Sequence, residues 1–359
     1  MTPTALTHTH HVLPFASALG DTPWLALQQV NNRRALPHLG RLLTLLGPGQ
    51  WHRGDEFSPT PPHEEAMARA LAWKPHDAAA GPGESAWPWA ARAMRQDGLN
   101  PSNRAWGLLT PSHWHVGQEQ ISLIDPALLA LTEAESRELL AAVRPLFEDE
   151  GFEIQWGAPS RWYLAHDDLA NLPTASLDRA IGRPLDHWLQ ASPQLEGTPA
   201  QATLRRIRRL QSEVQMLLYH HPLNQQREAQ GALTINSFWL SGCGPEQAEH
   251  GVVEVAASLR EPALQGDWAA WARAWQQLDE SWIQPLLSAA LAGAPVTLTL
   301  CGERHACTLQ VPPEGIAWAR RMGVQLSAHL SGQLSARLGR FQAAAGLGSA
   351  DTVAFLQSL

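Results

Sequence analysis

Residues 219–244 read YHHPLNQQREAQGALTINSFWLSGCG. Asn224 and Arg227 stand three apart just after a helix stop at Pro222. A guanidinium fork with an amide beside it suits phosphate or carboxylate. Asn236 enters the apolar run after them, and Gly242 and Gly244 leave it. Glycines at the carboxyl end of a strand let backbone come close to a ligand, and ligands of open α/β sheets favour that edge. The same residues also fit an Asn-capped turn and then a strand-ending glycine pair.

Two histidine clusters offer a second chemistry. His8, His10 and His11, and His113 with His115, alternate as strand residues do, so pairs share a face and could ligate Zn or Ni. Spacing fixes no third or fourth ligand. Cys301, His305 and Cys307 lack CxxC spacing and a second pair, and read as core thiols beside a loop. The chain has no G-x-S-x-G, Walker A, Rossmann or HExxH pattern, which argues against the common hydrolases, NTPases and dehydrogenases.

The elements that must position these residues are read from periodicity. Helices are expected at 36–47, 64–73, 87–98, 132–151, 200–220 and 267–291, and strands at 11–16, 106–117, 121–125, 152–157, 161–166, 232–242, 251–259 and 294–302. A helical or mixed tail is expected over 318–341. Thr132 with Glu135 three places on is a capping-box pattern. Leu204, Ile207, Leu210, Val214, Leu217 and Leu218 form one helical face, and Arg205, Arg206, Arg208 and Arg209 lie largely off it, as a solvated face or a site for an acidic partner. The 16 Trp, against seven Phe and two Tyr, crowd into helical patterns and read as core.

At 359 residues and a net charge of −8, the chain is long enough for a large core and too acidic for generic nucleic-acid binding. Three Cys argue for a reducing compartment, and neither a leader nor an apolar run of membrane-spanning length is read. The expectation is a cytoplasmic protein with no membrane and no nucleic-acid partner.

The opening segment resembles the HP-hydrophobic-N-x-x-R-x-x-x-G … N-x-x-W-L-x-G-x-G segment of archaeal-type cofactor-independent phosphoglycerate mutases. Through RLQSEVQMLLYHHPLN and NSFWLSGCG the chain as a whole is similar to proteobacterial RpfE-type regulatory proteins. The resemblance implies an α/β protein: an alkaline-phosphatase-like core sheet flanked by helices, with a smaller inserted α/β domain. Its boundaries would be 1–105 and 201–359 for the core and 106–200 for the insert. By the same comparison His63 stands at the mutases' nucleophilic Ser and Glu64 at the neighbouring Asp. Asp267 and Asp279 are retained, Leu264 replaces a His, and Glu303 and Arg304 replace a final Asp-His metal pair.

Mutase chemistry needs a metal-activated Ser alkoxide. Leu264 has no donor atom, and Arg304 would bring a positive charge into a cation site. The resemblance therefore implies a degenerate, non-catalytic protein needing no cofactor, with relic metal positions at Glu64, Asp267, Asp279 and Glu303. Arg304 would join Asn224, Arg227, Asn236, Gly242 and Gly244 in holding a phosphorylated metabolite, or the protein would regulate a protein partner. Two alternatives stand beside it. One is an active phosphoglycerate mutase or phosphatase using divalent Mn or Zn; the other is an interaction scaffold using the Arg face at 205–209 or an exposed Trp patch.

Overall fold

The computed structural model describes residues 9–30, 36–75, 83, 85–189, 196–312 and 352–359. The expected tail helix at 318–341 and the side chain of His8 lie outside the described residues.

In chain order the first elements are β1 (Thr9–Leu13), α1 (Thr22–Val30), α2 (Pro37–Leu45), β2 (Gln50–His52), α3 (Pro62–Ala70) and α4 (Trp89–Gln96). Next come β3 (Ala105–Ser112), β4 (Trp114–Val116), β5 (Ile121–Leu123), α5 (Glu133–Asp149), β6 (Glu153–Ala158) and β7 (Arg161–Ala165). Short helices α6 (Leu177–Ala180) and α7 (Asp186–Leu189) lead to α8 (Pro199–Tyr219), α9 (Pro222–Ala229), β8 (Ser237–Pro245) and β9 (Val252–Val255). The chain then forms α10 (Arg260–Gln265), α11 (Trp268–Leu278), α12 (Gln284–Leu291), β10 (Thr297–Cys301), β11 (Ala306–Gln310) and α13 (Thr352–Gln357).

Contacts divide the chain into two units. One takes Met1–Glu56, Pro61–Trp73 and Glu249–Leu359; the other takes Phe57–Thr60 and Lys74–Ala248. The expected boundaries at 106 and 200 are therefore corrected. Strand β8 pairs antiparallel with β3, from Ser112↔Ser237 to Ala105↔Pro245, and this pairing draws residues beyond 201 into the second unit. The second unit spans a stretch of chain comparable to the first, not a smaller one.

The first unit holds a five-stranded sheet in the order β2-β11-β10-β1-β9. Strands β9, β1 and β10 are parallel, while β11 and β2 run antiparallel to their neighbours. Strand alternation sorts its side chains into two faces. Leu13, Leu298, Leu300, Cys307 and Leu309 pack against Leu39 and Leu42 of α2, Trp271 and Trp275 of α11, and Leu286 and Leu287 of α12. Val12, Cys301 and Ala306 turn to the other face, where Ala66 of α3 covers them. The Trp-rich stretch is core, as its spacing suggests: Trp271 and Trp275 are fully buried and meet edge to face at 6.2 Å. Truncating either would cost about 3–5 kcal/mol.

The single helix expected over 267–291 is interrupted. Between α11 and α12 a π-helical turn, Asp279–Ile283, widens the coil. It brings the buried Asp279 carboxylate to the N-terminus of α2, where Oδ2 and Oδ1 accept the N–H groups of His38 (3.0 Å) and Leu39 (2.8 Å).

The second unit is built on an antiparallel sheet, β6-β7-β3-β8, beside a two-stranded β4-β5 ladder. One cluster joins this sheet to α5 and α8 through Leu139, Leu140, Val143 and Phe147, and through Ile207, Leu210, Val214 and Leu218. The predicted apolar face of 200–220 is thus the buried one, with Leu204 and Leu217 at its margin. Another cluster holds Ala90 and Met94 of α4 with Trp106, Tyr163 and Ala165. Gly242 (φ +64°) makes the α4 contact possible, because a Cβ there would lie 2.9 Å from Trp89 Cβ and 3.0 Å from Ala90 N.

The capping box forms as read. Thr132 Oγ1 accepts from Glu135 N, and Glu135 Oε2 accepts from Thr132 N. Thr132→Ala should lower unfolding stability by about 1 kcal/mol in urea titrations, without changing the denaturant slope.

Candidate functional site

Asn224 and Arg227 lie on α9, not in a polar turn. Pro222 ends one helix and begins the next, occupying the first turn of α9 behind His221, whose side chain accepts Leu223 N. Both residues are buried. The Asn224 amide donates to Leu218 O (2.9 Å) and Ile235 O (2.7 Å), and its carbonyl accepts Ile235 N (2.9 Å). Arg227 Nε donates to Leu233 O at 2.8 Å, Nη1 to Glu135 Oε1 at 2.6 Å, and Nη2 to Leu129 O. Asn236 clasps Trp114, accepting its N–H at 2.7 Å and donating to its carbonyl at 2.9 Å. The donors an anion would require are committed to the protein's own acceptors. The anion-site expectation for Asn224, Arg227 and Asn236 therefore gives way to a structural lock joining α5, α8, α9 and β4 to residues 233–236 ahead of β8. Gly242 and Gly244 serve the same end, since Gly244 admits Pro88, 3.3 Å from where its Cβ would stand.

Among the described residues, the positions carried over for metal and nucleophile form no group of three or more placed to hold a metal ion. Asp267 caps α11, accepting Ala270 N at 2.9 Å, and Asp279 caps α2 as described. Arg304 is exposed and forms a two-point ion pair with Glu56 at 2.7 Å, beside Glu303 in the β10–β11 turn. Its charge is matched by a carboxylate, which counts against the expectation that Arg304 helps to hold a phosphorylated metabolite. His63 is buried at the start of α3, its ring 5.2 Å from that of Phe15. Phe15 leaves β1 in the left-handed region (φ +55°). Glu64 sits in the first turn of α3, where a carboxylate complements the helix dipole.

A polar chain crosses the α3-facing side of the same sheet. His10 Nε2 lies 2.7 Å from Thr299 Oγ1, Thr299 Oγ1 lies 2.8 Å from Thr308 Oγ1, and Thr308 Oγ1 lies 3.4 Å from His52 Nε2. Four strands supply one residue each, all in phase with Val12, Cys301 and Ala306. Arg69, in the last turn of α3, adds a fixed positive charge and pairs with Glu65 one turn back at 3.3 Å. Burial, then His11, Arg69 and His52, hold the His10 pKa down at about 4. Burial and then Arg69 lower that of His52. The group is a hydrogen-bonded chain beside a cation, with burial and that cation both disfavouring protonated imidazoles.

His11 points to the opposite face, 3.4 Å from Glu254 and edge-on to Trp282. His113 and His115 stack at 6.5 Å, with His113 Nδ1 against Thr234 O at 2.8 Å. Among the described residues no group of three or more His, Cys, Asp or Glu side chains is placed to hold a metal. The three cysteines are buried and unbridged, and burial pushes the Cys243 and Cys307 thiols up to about 12. The alternation of the N-terminal histidines marked His10. Thr299, Thr308, His52 and Arg69 carried no local signal, because only the pairing of β1, β10, β11 and β2 aligns them.

No protein-family pattern matches the chain, and no curated protein matches it. Among solved structures it is similar to the cofactor-independent phosphoglycerate mutase from Thermoplasma acidophilum, at 15% identity and a TM-score of 0.32 over 85% of this chain and 90% of that one. It is also similar to a protein from Pyrococcus horikoshii, at 13% identity and a TM-score of 0.42 over 86% and 88%. No helix among the described residues is long and apolar enough to cross a membrane.

Two substitutions separate lock from surface. Arg227→Ala leaves the Leu129 and Leu233 carbonyls and Glu135 Oε1 without this donor and should cost about 3–5 kcal/mol. Arg304→Ala breaks an exposed pair and should cost no more than about 1 kcal/mol. Urea unfolding of both variants checks the contrast.

Proposed function

We propose that this protein is a non-catalytic binder of a small phosphorylated molecule, taken up on the His10–Thr299–Thr308–His52 face beside Arg69. The observation that carries the reading is a concentration of basic groups: two imidazoles and a guanidinium share one face, and Arg69 is matched by a carboxylate of its own helix, Glu65. A phosphate beside them would raise the lowered pKa values of the two imidazoles, and Thr hydroxyls can donate to its oxygens. The non-catalytic part is supported by what the mutase-like positions do here. Asp267 and Asp279 hold helix ends, Leu264 offers no ligand atom, and His63 is packed against Phe15.

Calorimetric titration with 3-phosphoglycerate and with glycerate tests the reading. The phosphorylated compound should bind at least about tenfold more tightly, and Arg69→Ala should remove that advantage. Equal affinities, or isomerisation of the phosphoglycerate in the presence of Mn or Zn, would overturn it.

The histidines also set a pH dependence. Unfolded, His10 takes a proton near its ordinary 6.5; folded, it does so only near 4. Between those values the unfolded chain holds more protons, so this contribution is complete above pH 6.5 and is lost as pH falls toward 4. His10→Gln should flatten the fall in melting temperature across that window, as read by thermal melts at several pH values.

A further inference from the structure

The second unit holds a hollow of about 440 Å³ that the phosphate reading leaves unused. Its size is that of a small-molecule site, roughly 300–1,000 Å³. One wall is a stripe of α8, with Arg208, Gln211 and Gln215 at helical spacing. Facing residues are Asp186 and Leu189 of α7 and Trp114 of β4.

The charges here are treated differently from those nearby. Arg206 pairs with Asp168 and Glu150, and Arg209 with Glu150 and Glu213. Arg208, on the same helix, has no ion-pair partner among the described residues, and neither has Asp186. Burial lowers the Arg208 pKa, as expected for a partly desolvated cation lacking a counter-charge. The amides are half used. Gln211 Nε2 donates to Phe238 O at 3.3 Å and Gln215 Nε2 to Ser237 Oγ at 3.5 Å, leaving each carbonyl oxygen without a protein donor among the described residues. Trp114 is buried, and its indole N–H has no protein acceptor among them.

One hollow thus offers an unmatched cation, an unmatched anion, two idle acceptors and apolar walls. An anion alone would leave Asp186 unmatched, and a cation alone would leave Arg208 so. We propose that the hollow binds a small zwitterion of the free amino-acid class, one with an apolar or aromatic side chain. Arg208 receives its carboxylate, Asp186 and the glutamine carbonyls receive its ammonium group, and Trp114 and Leu189 receive its apolar body.

The test is calorimetric titration of the full chain with L-tryptophan and L-leucine. Tryptamine, which lacks the carboxylate, and N-acetyl-L-tryptophan and N-acetyl-L-leucine, which lack the ammonium group, are compared with them, and leucine's own amine, isoamylamine, completes the set. At least one amino acid should bind, about tenfold or more ahead of its own amine and its own N-acetyl form. Arg208→Ala should abolish the preference over the amine, and Asp186→Asn the preference over the N-acetyl compound. Absence of binding by both amino acids, or no such preference in the unaltered protein, overturns the proposal without any variant. Retention of either preference by its matching variant, with unchanged far-UV circular dichroism, overturns it as well.

Discussion

Helix ends and strand ends carry backbone N–H and C=O groups that no ladder satisfies, and each one buried without a partner costs about 1–3 kcal/mol. Much of this protein's polar chemistry answers that demand. Asp279 receives two N–H groups of α2, Asp267 one of α11, Asn224 receives one N–H and covers two carbonyls, and Arg227 covers two more. A residue of the right type for an anion or metal is often also right for closing a backbone. Here burial and bond geometry decide between the two uses.

Several elements were legible because their signals are local. The capping box at Thr132 and Glu135, the apolar stripe of α8 and the β-branched run of β10 each lie within one stretch of chain. Helix α9 has an ambiguous signal, because Pro222 fits a helix stop and a first helical turn equally well. The domain boundaries were not legible, since β3 and β8 are far apart in sequence and adjacent only in the sheet. The basic face has the same origin. No spacing rule joins His10 to Thr299 or Thr308 to His52, and parallel pairing of β1 with β10 does the first of these.

The two proposed sites rest on different imbalances. On the first unit's sheet, Arg69 has its carboxylate in Glu65 and the two imidazoles have lowered pKa values, so an added anion would draw protons onto them. In the hollow beside α8 one charge of each sign lacks a mate, which favours a molecule carrying both. The arginine run at 205–209, which from sequence fits a solvated face or a site for an acidic partner, is divided by the fold. Arg206 and Arg209 brace Glu150, and Arg208 alone of these three faces the hollow without a carboxylate.

The π-helical turn at Asp279–Ile283 holds about one residue more than an α-helical turn would. Each residue of a regular α-helix advances the azimuth by about 100°. The wide coil absorbs its extra residue, so α11 and α12 keep close to one rotational phase, and Leu286, Leu287 and Ala290 stay in the core with Trp271 and Trp275. The insertion is felt locally instead, at the Asp279 carboxylate that holds the first turn of α2.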